Sequence, residues 1–534
     1  MSATEIRDQL TNELPELQGD EKLLSECIII CQNYNISGTY LYYKLEAKRF
    51  SSSNVARGAQ MQPVTFALVQ DVKKELIEEL NRKRLKDQTT QQKRADLMNG
   101  MMRRAQQNVS RSTKVATGGI SSRPGVAPPS VSFKGLADDK KVRRYRFMYE
   151  KVSERSEILD ERIDEFGELI REHYNIDELG DPASTSEEDV VVVGRVCNDA
   201  DAFPGPSKLT EGSVFIESSR MMGSGSRIPL RFSPNLKLRG TAEGAGGIGL
   251  FPGAIIAIKG KNGGGGLFVV DEILGFPPLA LSPEPSRHKS FTMVVACGPY
   301  TLDTNLEYTH FSSFIERVIS LRPSVLLLLG PFVDAFHPII KAGHIDQTPG
   351  EIFRERFVES LRSFLKVSPD SLILLEPSIR DILSDHPVFP QCELDDSFMA
   401  DPRVKMIPNP CRFSINDVTF ATTSVDVLLH LRNQEYTQRG QEIDPVPPTS
   451  PDSSATDLLT NSCRHLLLQR SFYPLFPVPA DLSSDVNLDV SHSAGLRLDQ
   501  NAQEYAPDVL FLPSKFKQFT KVYRLSYASF HCKV

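Results

Sequence analysis

The sequence predicts a multidomain α+β protein: a small N-terminal helical bundle, a flexible linker, a small β-barrel and an α/β domain. Three observations carry that expectation. The chain has 534 residues, enough for three or four domains at about 100–200 residues each. Its apolar spacing changes along the chain, from helical steps of three and four, to the alternation of strands, to continuous apolar strands separated by helices. Between the first two zones lies a stretch with no periodicity. The expected boundaries are 1–86 for the bundle, 87–139 for the linker, 140–288 for a long helix plus barrel, and 289–534 for the α/β domain.

Residues 1–86 read as four short amphipathic helices. Ser2-Ala3-Thr4-Glu5 has capping-box spacing ahead of Ile6, Leu10, Leu14 and Leu17. Asp20 is placed to cap a second helix with Leu23, Leu24, Cys27, Ile28 and Cys31 inward, and a third runs through Tyr40, Leu41 and Leu45. Thr65 opens a fourth carrying Phe66, Val69, Val72, Leu76 and Leu80. Such helices bury one another's stripes. Cys27 and Cys31 lie one turn apart without a CxxC pair, so they are expected in the core rather than on zinc.

From 87 to 135 the chain is rich in Gln, Ser, Arg and Gly and ends in Arg123-Pro124-Gly125-Val126-Ala127-Pro128-Pro129. That composition buries too little apolar surface to offset ordering entropy, which predicts a tether. The net charge of −7 hides a basic arm. Residues 81–114 hold ten Lys or Arg against Asp87 and Asp96, leaving −15 on the remainder. A basic arm on an acidic body reads either as a segment facing nucleic acid or as a solvated linker. Lys140-Lys141-Val142-Arg143-Arg144 reads as a nuclear localisation signal or as the solvated start of a helix. That helix places Met148, Val152, Leu159, Ile163, Phe166 and Ile170 on one face and ends near His173.

Strands follow at Val190–Val196, Ser213–Glu217, Ile228–Phe232, Ala254–Lys259 and Leu267–Ile273. Five short strands in under 100 residues suit a Greek-key barrel, the OB-fold being the commonest. With few aromatics on the strands (Phe215, Phe232, Phe268) and no Trp in the chain, the barrel reads as a scaffold before a reader of single-stranded nucleic acid. Gly260-Lys261-Asn262-Gly263-Gly264-Gly265-Gly266 joins two strands and lacks Ser or Thr after its Lys, so it is a hairpin and not a phosphate loop.

The α/β pattern runs from strand Phe291–Cys297 through helix Phe311–Ser320, with Phe314, Ile315, Val318 and Ile319 inward. Strand Val325–Leu329, helix Ile352–Leu365 and strand Leu372–Leu375 come next, then strands near Val404–Ile407, Val418–Ala421 and Val509–Leu512. Apolar strands with helices between them imply a sheet covered on both faces. No run of 18 or more apolar residues occurs, which excludes a membrane-spanning helix on sequence grounds. Met1 to Leu10 lacks the apolar core of a secretory signal. Eight cysteines are too sparse for a disulfide framework and point to a reducing compartment.

Three segments carry a family resemblance: Leu250-Phe251-Pro252-Gly253 through Gly260-Lys261-Asn262, Ala296-Cys297-Gly298-Pro299-Tyr300-Thr301, and Leu328-Leu329-Gly330-Pro331-Phe332-Val333-Asp334. With the order of domains, they resemble the B subunits of the replicative DNA polymerases. The helix Tyr145-Arg146-Phe147-Met148-Tyr149-Glu150 to Leu159-Asp160 and the N-terminal bundle are similar to the branch that serves DNA polymerase alpha–primase. The resemblance implies a calcineurin-like α/β phosphoesterase sandwich for 289–534, inactivated. The parent fold binds two metals through D-x-H, G-D, G-N-H-[DE] and G-H-x-H signatures. Here no D-x-H occurs; Gly298 and Gly330 keep their glycines, Pro331 stands at the G-D aspartate, and Asn409 is followed by Pro410 in place of histidine. Ser514 and Phe516 fall where the last histidines belong, and Gly343-His344-Ile345-Asp346 is elsewhere in the chain. Asp334 and Asn409 remain as isolated ligands, too few for a binuclear centre. Catalytic, metal-binding and cofactor residues are therefore expected to be absent, and His337, His344, His386, His430 and His465 to be surface or hydrogen-bonded core residues.

The resemblance further implies a nuclear, non-catalytic scaffold. Its broad rigid surface would hold the C-terminal zinc-containing domain of the polymerase alpha catalytic subunit, next to the small and large primase subunits. The N-terminal bundle would recruit other replication-fork proteins, with DNA touched at most indirectly. Ser450-Pro451 in the Pro-rich loop Asp444–Asp457 is a phosphorylation candidate. The competing readings are a divergent metallophosphoesterase and a single-strand DNA-binding OB protein.

Overall fold

The computed structural model describes residues 7, 9–11, 21–34, 38–39, 41–45, 64–74, 129–135, 151–198, 208–280, 290–447, 457–483, 485–499, 505–525 and 528–533. The chain divides into two compact units, Met1–Lys114 and Val115–Val534. No helix among the described residues is long and apolar enough to cross a membrane.

In the first unit, α1 (Glu21–Tyr34) buries Leu23, Leu24, Cys27, Ile30 and Cys31 against Leu41, Leu45, Val64, Val69 and Val72. Both thiols sit in this core, where burial pushes Cys27 up to about 12 and Cys31 up to about 11. Ile28, expected inward, is only partly buried, and Ile30 takes the inner position. Residues 66–74 are helical, and the Thr65 hydroxyl accepts the Leu68 N–H at 3.4 Å. Phe66 departs from expectation, being 54% exposed. At 3.6 residues per turn it shares a face with Gln70 and Lys73, which are drawn to Glu26 on α1 at 3.1 and 2.8 Å, while Val69 and Val72 define the buried arc. The Ser2–Glu5 box, Leu14, Leu17, Asp20, Tyr40, Leu76 and Leu80 lie outside the described residues, as do the basic arm, Lys140–Arg144 and Ser450-Pro451.

The second unit begins, among the described residues, inside the expected tether. Residues 129–135 dock on the body: β1 (Phe133–Lys134) pairs antiparallel with β12 (Cys411–Ile415), and Val131 is buried. Alternation of Val131 and Phe133 with Ser132 and Lys134 is a strand signal too short to stand out from its Pro- and Ser-rich surroundings.

Helix α2 (Val152–Tyr174) lays Ile163, Phe166 and Ile170 on the barrel, with Phe166 edge-on to Phe276 at 4.7 Å. Val152, expected on that face, is 86% exposed, because the helix starts there and its first turns overhang the barrel; Met148 lies outside the described residues. The barrel strands are β2 (Val190–Asn198), β3 (Val214–Glu217), β4 (Arg227–Arg239), β6 (Ile255–Lys261) and β7 (Phe268–Leu274), with β5 (Gly247–Leu250) beside them. Pairing runs β2-β3-β4-β7-β6 and back to β2, so the ring closes; only β4–β7 is parallel. Closure removes the edges that a five-stranded sheet would expose. Val192, Val196, Ile216, Leu230, Phe232, Ile256, Ile258, Phe268 and Val270 fill the inside, while Val193, Ile255 and Ala257 on the outer face are covered by α2. The glycine-rich turn is the expected hairpin. Gly264 and Gly266 have φ of +86° and +71°, and the buried Asn262 side chain donates to Pro182 O and accepts the Gly264 N–H.

Beyond the barrel, a parallel sheet runs in the order β11-β10-β9-β8, formed by β8 (Met293–Cys297), β9 (Val325–Leu329), β10 (Leu372–Glu376) and β11 (Val404–Met406). Alternate residues of β9 and β10 go to opposite faces. Leu326, Leu328, Ile373 and Leu375 meet α3 (Thr309–Leu321) and α4 (Glu359–Val367), and Phe311, Ile315 and Val318 are inward with Phe314 and Ile319 partly so. Val325, Leu327, Leu329, Leu372 and Leu374 face Phe413, Ile415, Phe420 and Phe511 of a second, mixed sheet. That sheet comprises β1, β12, β13 (Val418–Thr422), β16 (Val509–Phe511), β18 (Ala528–Lys533) and β17 (Thr520–Leu525), in that order. The layers are helices, parallel sheet and mixed sheet.

The two halves of this unit are tied by an arm. After α5 (Val427–Gln434), β14 (Tyr436–Arg439) pairs with β5 and β15 (Gln441–Ile443) extends the barrel sheet alongside β4. From α6 (Leu458–Leu468) onward, Leu466, Leu467, Phe472 and Leu475 share one core with the barrel interior.

Candidate functional site

The C-terminal ends of parallel strands are where α/β proteins place their chemistry, and most of the residues expected to matter gather there. Strand β8 ends at Cys297-Gly298 and β9 at Leu329-Gly330-Pro331. Both Gly-Pro bonds and Asn409–Pro410 are cis. The glycines are demanded by close approach. A Cβ on Gly298 would run into the Pro331 carbonyl, and one on Gly330 into the Asp381 carboxylate and the Ser378 N–H. Pro331 meets Gly298 through its backbone.

The centre of the site is a residue absent from the expectations drawn from sequence. Asp381, 3% exposed, accepts the N–H groups of Phe332, Val333 and Ser378 at 2.5, 3.0 and 2.8 Å. One carboxylate thereby fixes the loops after β9 and β10. Burial pushes it up to about 7 against the pull of those donors. It lies just beyond the end of β10, so the strand-end rule applied to that strand is the signal that would have found it.

Asp334 is 7% exposed and is held by both ends of the Arg380 guanidinium, with its Oδ1 also accepting the Phe336 N–H at 2.9 Å. Arg380 lies over the Phe336 ring. The bound cation at this carboxylate is thus a side chain. Asn409 is fully buried. Its amide donates to Gln391 and to the Ser424 hydroxyl at 2.7 Å, and its carbonyl accepts Thr423 Oγ1 and Ser424 N–H at 3.1 Å each. Gln391 in turn donates to Ser378 O, linking the Asn409 loop to the Asp381 loop.

Glu376, the last residue of β10, is fully buried; its Oε2 accepts the Thr422 hydroxyl and its Oε1 has no partner. Burial holds its carboxyl well above the ordinary range, because desolvation disfavours the charged form. Cys297 turns its sulfur to Gly330 O at 3.5 Å, near Glu376, Asp381, Asp426 and Arg380. Ser514 and Phe516 are held by their own turn and by the barrel-side core. The Ser514 hydroxyl accepts the Phe516 N–H, Phe516 packs on the barrel-side core, and the intervening Lys515 N–H goes to Asp426, which also caps α5.

The histidines serve the fold. His337 bridges Leu302 O and the Ile339 N–H, His430 meets the Tyr473 hydroxyl at 3.1 Å, and His465 pairs with Glu435 at 2.9 Å. His344 and His386 are exposed. Among the described residues, no three His, Cys, Asp or Glu side chains converge as a metal set. The arrangement is a polar network in which Asp334, Asp381 and Asn409 are bonded to loop backbone, hydroxyls, an amide and one arginine, while Glu376 Oε1 stays unpartnered. It orders loops; it leaves no unencumbered pair of carboxylates for cation binding.

Residues 293–521 match the family of alpha/epsilon DNA polymerase B subunits, and residues 156–276 match the OB domain of the DNA polymerase alpha B subunit. Among curated relatives, the DNA polymerase alpha B subunit of Schizosaccharomyces pombe is 34% identical over 72% of this chain and 64% of its own length. The Saccharomyces cerevisiae protein of the same name is 29% identical over 72% of this chain and 57% of its own, and the Bos taurus protein 29% over 77% and 63%. The matched part of the chain spans about three fifths of the length of these relatives.

Proposed function

The chain belongs to the family of DNA polymerase alpha B subunits, and from that premise we propose that it is a non-catalytic scaffold of a polymerase alpha–primase complex. It tethers the catalytic polymerase subunit and the primase pair for RNA–DNA primer synthesis in the nucleus. The observation that carries the non-catalytic half is the bonding of Asp334, Asp381 and Asn409 in the loops beyond the strand ends. Asp334 holds Arg380, Asp381 holds three N–H groups, and Asn409 is bonded on every side. Binding a divalent cation there requires breaking those bonds and displacing a guanidinium from a carboxylate 7% exposed.

In this reading 289–534 has the calcineurin-like phosphoesterase architecture stripped of its metals, which the helix–sheet–sheet layering supports. The barrel domain falls within 140–288, and 1–86 is an accessory module joined through 87–139, a linker whose end is docked. The barrel and the α/β domain share one core and an exchanged arm, so they present a rigid surface of the kind that docking needs, about 800 Å² per side. Its occupant is the C-terminal zinc-containing domain of the catalytic subunit, and the zinc belongs to that partner.

The test pairs two assays on the full chain. With manganese, hydrolysis of bis(p-nitrophenyl) phosphate is expected to equal that of an Asp334→Ala variant, and the catalytic subunit's C-terminal domain is expected to co-elute with the chain. Metal-dependent turnover lost in the variant establishes the phosphoesterase instead.

A further inference from the structure

The segment 129–135 is short, local and unusually well bonded for a stretch with linker composition. Ser130 N–H donates to Asp370 O at 2.9 Å, and Ser132 and Asn416 exchange two bonds, Ser132 N–H to Asn416 Oδ1 at 2.9 Å and Asn416 N–H to Ser132 O at 3.0 Å. Phe133 and Lys134 then pair with Ile415 and Ser414. Val131, 8% exposed, enters the core between the two sheets, and Phe133 packs on Phe413 with ring centroids 6.0 Å apart. Lys134 meets Asp417 at 2.6 Å in solvent.

The receiving side is built for this strand. The turn from β12 to β13 places Asn416 and Asp417 at φ of 49° and 67°, the pair of left-handed residues that a two-residue hairpin needs. Those same two side chains bind the incoming segment. β12 lies at the border of the mixed sheet, so without 129–135 its outer backbone groups and the side of Phe413 face water. An uncovered edge of that kind pairs with any strand of fitting pattern.

We propose that residues 129–135 are a strand latch: they occupy, from within the same chain, a peptide-accepting edge of β12 that selects an extended segment with apolar residues two apart followed by a cation. The latch fixes the point at which the preceding chain leaves the second unit. Its release frees that chain and opens the edge to a strand of the same pattern. Two ladder pairs and one solvent-exposed ion pair make the closure reversible, whereas the closed barrel has no such exposed edge.

The experiment is hydrogen exchange on the full chain, read over the segment containing Ser414 and Asn416. In the double variant Val131→Ser, Phe133→Ser, exchange there is expected to rise at least tenfold, the effect of about 1.4 kcal/mol, while β9 and β10 keep their protection. A capped synthetic peptide of residues 129–135, at millimolar concentration, is expected to restore protection in the variant and to leave the wild type unchanged. Unchanged exchange in the variant, no recovery with peptide, or an equal response of the wild type each overturns the proposal. Should the double variant lose protection in β9 as well, Asp417→Gly replaces it. That change leaves Asn-Gly at the turn, favoured for such hairpins, and removes the carboxylate that meets Lys134, so a rise of about two- to fivefold is expected and no rise contradicts the latch.

Discussion

Asp334 and Arg380 illustrate how one residue's chemistry is redirected by its neighbours. A carboxylate 7% exposed must be paired, and here a guanidinium supplies the positive charge. Arg380→Ala strands that carboxylate, and a loss of about 2–4 kcal/mol in denaturant unfolding is expected. Adding Asp334→Asn to that variant removes the orphaned charge and recovers part of the loss. A second residue sets a pH dependence. Asp164 on α2, bonded to the Ser219 hydroxyl at 2.5 Å, is pushed up to about 6 by burial, with Asp160, Glu161 and Glu168 adding to the rise. Its folded value exceeds the unfolded value of about 3.9, so ionisation costs stability as pH rises from about 4 to about 6 and the full cost persists above. Asp164→Asn keeps the acceptor for Ser219. It is expected to raise stability by roughly 1 kcal/mol at pH 8, half-exposure allowed for, and by nothing below about pH 4, as thermal melts at the two pH values will show. At this scale the sequence shows Pro331 and Pro410 as residues that offer no side-chain ligand. It hid Arg380 and Asp381, because the partner of the first is the Asp334 carboxylate and those of the second are backbone N–H groups, brought together from the ends of separate strands.

Elements were legible in proportion to their length and apolar content. Val325–Leu329 matched residue for residue, and four of the five barrel strands, α2, α3 and the helix ending at Val367 were found within a few residues, while β4 runs on to Arg239, well past the expected Ile228–Phe232. Several elements were missed: β5, β14 and β15 are three or four residues of polar or glycine-rich sequence and β1 is two, while β12, β17, β18, α5 and α6 are longer and were passed over as well. The pairing of the shortest strands is supplied by distant partners, so local pattern carries little of it. The arm built from β14 and β15 is also where the barrel is tied to the α/β layers. Glu442 accepts the N–H groups of Gly244 and Gly246 at 2.9 and 2.6 Å, and Arg239 bridges Glu272 and Asp444 at 2.5 Å each. Glu442→Ala is expected to cost about 1 kcal/mol and to speed amide exchange at Gly244 and Gly246 without changing it in β9. Uniform loosening would show that the arm is not an independent clasp.

The whole molecule is a protein whose strand-end polar groups have been turned inward. Asp381 bonded to three N–H groups and Asp334 bonded to Arg380 cross-link the loops after the parallel strands, and such bonds restrain those loops. The common core of barrel and α/β domain extends that restraint across the two. Stiffness is what a docking platform requires, since a surface ordered in advance loses less entropy on binding. The proposed scaffold rests on family resemblance, and the bonds at Asp334, Asp381 and Asn409 support it on physical grounds. The most direct test of the scaffold is affinity isolation of the endogenous chain from nuclear extract at physiological salt, with the masses of the assembly determined intact. The expected result is near-stoichiometric recovery of one large polymerase and two primase subunits, and recovery of the chain alone as a monomer would contradict it.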